Sequence, residues 1–159
     1  MPNVIVHVAR TVHTPEGSAA AGMVFWQPDP SAPPTVMGFI SSKPLIGAYF
    51  GPHIFAGTPF EHAAVIEASI EIEKNETFAR ATVRVAGLVI QTELSAFGPS
   101  RLVNRSPSLM APFEQQGLEA SAGKARLWID SKEISIIVPP LGMSGGPAAV
   151  WSPCGLYAR

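Results

Sequence analysis

Residues 64–85 alternate apolar and polar side chains twice over, and this pattern constrains the fold more than any other feature of the chain. The first run sets Ile66, Ala68, Ile70 and Ile72 against Glu67, Ser69, Glu71 and Glu73. The second sets Ala79, Ala81, Val83 and Val85 against Arg80, Thr82 and Arg84. A period of two belongs to a strand with one buried face, so the runs predict an antiparallel hairpin. Directly opposed residues must share a face, which restricts the register. A four-residue loop over 74–77 pairs Glu73 with Phe78 and sets Glu71 opposite Arg80 and Glu67 opposite Arg84. A two-residue loop, Lys74-Asn75, opposes Glu73 and Glu76. Opposite charges across a strand pair stabilise by roughly a few tenths of a kcal/mol and like charges cost as much. The four-residue loop is therefore expected.

Beyond Gly87 the apolar phase inverts, with Leu88, Ile90 and Leu94 now inward; a bulge or tight corner at the glycine produces such an inversion. A second hairpin is predicted with Leu127 and Ile129 facing Ile136 and Ile134 across residues 130–133. Near the start, residues 3–13 place Val4, Val6, Val8 and Val12 on one face and Asn3, His7, Thr11 and His13 on the other. Strands are also expected over 23–27 and 35–40, joined by a proline-rich turn over 28–34. Residues 45–50 and 53–55 read either as strands buried on both faces or as apolar loops lining a mouth. A short helix over 109–116 is limited by Pro112. Residues 148–157 read as a last strand, interrupted at Pro153.

The 16 prolines and 14 glycines punctuate short segments, as in an all-β sandwich or barrel. One domain over residues 1–159 is expected, with about eight to ten short strands and little helix. The Gly87 corner favours an antiparallel β-barrel, calycin- or lipocalin-like in shape, over a β-sandwich.

Charge separates the remaining possibilities. Asp, Glu, Lys and Arg make up 14% of the chain, against roughly 25% in an ordinary soluble domain. So few charges leave apolar surface to be hidden in a ligand cavity or against other copies, unless Thr, Ser and Ala cover it. With 11 basic and 12 acidic residues and no basic cluster, no nucleic-acid partner is expected. Prolines 33, 34, 44, 52 and 59 divide the most apolar stretch, residues 31–60, so no membrane span is expected either. The start lacks a basic region followed by an apolar run, and the single Cys154 excludes an intramolecular disulfide. Both point to a cytoplasmic protein.

The candidate chemistry is sparse. Trp26, Phe39, Tyr49, Phe50, Phe55 and Phe60 concentrate aromatic bulk, as core or as a pocket wall. As a pocket, its ligand-binding residues would be Trp26, Tyr49, His53, Phe55 and His62, the histidines acting as polar handles. His7, His13, His53 and His62 match no metal-ligand spacing, and adjacent Glu61 and His62 would point to opposite faces of a strand. No metal or cofactor is expected.

The run Gly142-Met143-Ser144-Gly145-Gly146-Pro147 resembles the GxSGGP sequence of chymotrypsin-like proteases, which implies Ser144 as a nucleophile beside an oxyanion site. Such a run is also ordinary turn punctuation, and the 15 residues after Ser144 are too few for that family's second barrel. The opening Met1-Pro2-Asn3-Val4 resembles the tautomerase start, but Pro15, Gly17 and Gly22 forbid the long helix that follows there.

Three functional expectations result. The first is a barrel that binds a small apolar molecule, to which a histidine could add isomerase or cyclase chemistry. The second is a homo-oligomeric structural or interaction domain without catalysis, and the third a serine hydrolase using the 142–147 loop.

Overall fold

The structure, a computed structural model, describes residues 4–27, 29, 31–33, 36–54, 61–106, 115–142 and 146–153. Among them are ten strands and one helix: β1 (Val4–Thr14), β2 (Gly17–Trp26), β3 (Val36–Ser41), α1 (Pro44–Ile54), β4 (Val65–Lys74), β5 (Phe78–Val85), β6 (Leu88–Phe97), β7 (Arg101–Arg105), β8 (Gln115–Ile129), β9 (Lys132–Ile134) and β10 (Val150–Trp151). They form one strongly curled, barrel-like sheet in the order β1-β2-β3-β4-β5-β6-β8-β10, with β7 and β9 also paired to β8. The expected all-β, barrel-like class is what forms. Every pairing is antiparallel except β3 with β4, which α1 bridges as a crossover.

The concave face carries the main core. Val24, Ile40, Val83, Ile90 and Leu127 are fully buried there. Val4, Val6, Val8, Trp26, Ile66 and Ile70 pack around them. The alternation over 64–85 does what its period implies: Ala68, Ala79, Ala81, Val83 and Val85 are buried, while Glu67, Ser69, Glu71 and Glu73 are exposed.

Both predicted hairpin registers are displaced by two residues. Glu73 pairs with Arg80, Ile72 with Ala81 and Ala68 with Val85, not Glu73 with Phe78. The cause lies in the loop. The Asn75 side-chain oxygen accepts the N–H groups of Thr77 and Phe78, each at 2.9 Å, and this Asx turn selects where pairing begins. In the second hairpin Leu127 pairs with Ile134 and Ile129 with Lys132. Asp130 and Ser131 alone make the turn, with φ of 48° and 67°, the left-handed pair that a type I′ turn requires. Asp130 is latched to β6, its N–H donating to the Val89 carbonyl and its carboxylate accepting the Val89 N–H. A two-residue displacement keeps every side chain on its face, so apolar alternation alone does not detect it.

The inversion at Gly87 is a hairpin turn, not a corner. Ala86 and Gly87 have φ of 51° and 81°, and Val85 pairs with Leu88 across them. Opposed residues share a face, so a two-residue turn moves the inward set from odd to even positions. A real irregularity lies in β1, where the register with β2 shifts between Ala9 and Val12. One extra residue there turns Val12 away from Val4, Val6 and Val8, and puts His7 and His13 on opposite faces.

Residues 45–50 and 53–54 are neither strands nor loops but α1, so that reading is corrected. Pro44 suits the first helical position. Ahead of it, the Ser41 hydroxyl accepts the Lys43 N–H and donates to the Lys43 carbonyl. Ile46 and Phe50, four apart, face the sheet and pack on a second cluster of Ala9, Val12, Ala19 and Ala21. Gly47 and Gly51 are buried beside them, bringing the helix backbone close to the strands. Pro52 forfeits one helical hydrogen bond just before the helix ends. The predicted helix over 109–116 lies outside the described residues except at Gln115 and Gln116, which belong to β8. Phe55, Phe60, residues 143–145 and Cys154 lie outside them too. Of the predicted last strand, Val150 and Trp151 are strand.

Candidate functional site

The predicted pocket residues occupy different parts of this frame. Trp26 ends β2 on the concave side, packed against the main core, level with Val4 on β1 and Val36 on β3. Its indole Nε1 is buried without a hydrogen-bond partner among the described residues. Tyr49 lies on α1, across the sheet from Trp26, 45% exposed, its ring edge-on to Phe50 at 5.2 Å between centroids. His53 falls in the last turn of α1, and His62 is exposed in the turn before β4. Phe55 lies outside the described residues.

The helix presents an unusual surface. Leu45 is 65% exposed, and with Ala48, Tyr49 and Pro52, all exposed, it makes a stripe at helical spacing i, i+3, i+4, i+7. The opposite side of the helix is the apolar one that packs on the sheet. A surface helix ordinarily turns charge to water; α1 contains no charged residue at all. Further exposed apolar side chains lie at Leu102 and Leu118, directly paired across β7 and β8, and at Ile137, Val138 and Leu141.

The convex face of β4, β5, β6, β8 and β9 is polar instead. Register places Glu73, Arg80, Glu93 and Arg126 in one row. Arg80 lies 3.0 Å from Glu73 and 2.6 Å from Glu93. Arg84 reaches Glu71 at 2.9 Å and Arg126 reaches Glu133 at 2.8 Å. Arg126 also stacks 4.5 Å from the Trp128 ring centroid, and Arg80 4.8 Å from that of Phe78. Hydrogen bonding to Glu93 raises the Arg80 pKa, with the Glu93 and Glu73 charges adding to it. The bond from Arg126 holds the Glu133 carboxyl below its usual range. Two open depressions lie in this region. One, of about 410 Å³, is lined by Arg126, Glu133, Ile134 and Ile136 among others; the other, of about 180 Å³, by Glu71, Ile72, Glu73 and Thr82.

The remaining candidates are scattered. His13 Nδ1 lies 2.7 Å from the Ser18 hydroxyl on the exposed β1–β2 ribbon. Ser144 lies outside the described residues, though the Gly142 N–H donates to the Gly146 carbonyl across that loop. Among the described residues no group of three His, Cys, Asp or Glu could hold a metal ion, and no helix is long and apolar enough to cross a membrane. The residues that sequence reasoning missed are Leu45, Ala48 and Pro52. Their helical spacing was the available signal, hidden by two prolines and two glycines in eleven residues.

Comparison with protein-family models, curated proteins and solved structures finds no match to this chain.

Proposed function

We propose that the protein is a non-catalytic, homo-oligomeric interaction domain. The observation that carries this reading is the solvent-facing side of α1, where Leu45, Ala48, Tyr49 and Pro52 are exposed and uncharged on a chain already poor in charge. A helix that turns apolar side chains outward as well as toward its sheet is one suited to the inside of an assembly. Water beside Leu45 and Tyr49 is released when a neighbouring copy covers them, at about 25 cal/mol per Å² of apolar area. The convex face of β4–β6, by contrast, is supplied with its own counter-charges and needs no partner. The lone Cys154 is compatible with a cytoplasmic setting. Native mass spectrometry at micromolar concentration tests the reading: a whole-number multiple of the chain mass is expected, and a monomer at every concentration overturns it.

A second reading, binding of a small apolar molecule at the Trp26 end of the curl, is favoured by the buried indole N–H, which has no partner among the described residues. A buried donor left unbonded costs about 1–3 kcal/mol, which a ligand carbonyl or ether oxygen would offset. Since Nε1 is covered, such a ligand must displace the cover. It would appear in the same spectrum as excess mass that is lost on denaturation, and Trp26→Phe would abolish it.

A further inference from the structure

Resting on the assembly reading, we infer that the partner on α1 is a second copy of α1, crossing it antiparallel about a two-fold axis near Ala48. Three features of the helix select this occupant. The first is shape. Ala48 is the small residue of the stripe, flanked by Leu45 on one side and by Tyr49 and Pro52 on the other. When two such helices cross antiparallel at Ala48, their backbones approach closely, and Leu45 of each copy meets Tyr49 and Pro52 of the other. A contact of this kind is self-complementary, as a two-fold interface requires.

The second feature is charge. The stripe carries none, so self-pairing brings no like charges together. At its N-terminal end stands exposed Lys43, with no acidic residue in the first helical turn. A cation there opposes the positive end of its own helix dipole. An antiparallel copy places its C-terminal carbonyls, the negative end, beside that lysine. A parallel arrangement would instead put two lysines and two positive ends together.

The third feature is what a different occupant would require. A helix that lies in a membrane surface carries Lys and Arg along its polar face, and α1 contains neither. At 11 residues, about 16 Å, α1 supplies only part of the roughly 800 Å² per partner that a standard interface buries. Surface beside the helix must therefore contribute as well.

Crosslinking in a Cys154→Ser background tests the inference. Ala48→Cys should form a disulfide-linked dimer on mild oxidation, while Ser69→Cys, on the exposed face of β4, should not. Leu45→Glu should weaken association at least about tenfold by sedimentation while leaving the circular dichroism of the fold unchanged. A stable oligomer in which Ala48→Cys crosslinks no faster than Ser69→Cys, and Leu45→Glu changes nothing, overturns this face and leaves the assembly reading standing. A wild-type monomer overturns both, and one that floats with phosphatidylcholine vesicles assigns the stripe to a lipid surface instead.

Discussion

The two halves of this sheet solve burial differently. Along most of β4, β5, β6 and β8 one face is core and the other is water, and the convex side carries opposite charges matched along one row, from Glu73 through Arg80 and Glu93 to Arg126. Under α1 both faces of the sheet are covered: Val24 and Ile40 lie in the concave core, while Ala9, Val12, Ala19 and Ala21 lie beneath the helix. The cover is itself apolar on its outside. The charges on the outer face of β4–β6 find their partners within one chain; the outer face of α1 is apolar surface that water does not suit. On the proposed reading, a β domain is self-sufficient along one stretch of its sheet and dependent on a neighbour along another.

Substitutions in the two cores sharpen this contrast most. Leu127→Ala, in the self-sufficient half, should lower stability by about 3–4 kcal/mol in urea titrations, the same at every protein concentration. Ile46→Ala, on the sheet side of α1, should cost about 3 kcal/mol, with a midpoint that falls further on dilution because, on the proposed reading, it also loosens the helix that pairs. Equal concentration dependence in the two variants would break the comparison.

Gly22→Ala should follow at about 2–3 kcal/mol. A Cβ at Gly22 would collide with the His7 carbonyl of β1, so the strands would have to part where the sheet is packed on both faces. Thermal melts beside wild type measure the loss, and an unchanged midpoint would show that β1 and β2 can separate freely.

Effects on the charged face should be smaller. Arg80→Gln leaves Glu73 and Glu93 without their shared partner, and because the guanidinium is partly exposed the loss should be about 1 kcal/mol, less in 1 M salt. The weakest effect is with pH. Glu133 is held below the ordinary glutamate value of 4.5 by Arg126, so the pair's contribution is complete above that pH and disappears as pH falls through the folded value. Glu133→Gln should flatten the acid limb of the stability profile and leave neutral pH nearly unaffected. A matching change at pH 8 would point to a role other than ionic pairing.

The same contrast decides what could be read from the residues alone. The strands with one wet face announce themselves by alternation: Ile66 to Ile72 and Ala79 to Val85 were legible as a hairpin, inward set included. Its register was not, because the Asn75 side chain selects the turn while the strand pattern is indifferent to a displacement of two. At Ala86-Gly87 the inversion of phase was visible but its cause was not, since a two-residue reversal and a bulge invert phase alike. In the doubly covered half the signal fails for a different reason. A helix apolar on both sides has no amphipathic contrast, and Gly47, Gly51, Pro44 and Pro52 imitate loop punctuation. The stripe from Leu45 to Pro52 became visible only once the Ile46 and Phe50 side was seen against the sheet. Trp26 and Tyr49 were grouped by their nearness in sequence, yet the sheet lies between them.

The central claim, that α1 depends on a neighbour while β4–β6 do not, is met most directly by hydrogen exchange read by mass spectrometry across a dilution series. The account predicts that peptides covering residues 44–54 lose protection as the protein is diluted, while those covering 65–97 exchange at the same rate throughout. Identical exchange at every concentration in both regions would contradict it.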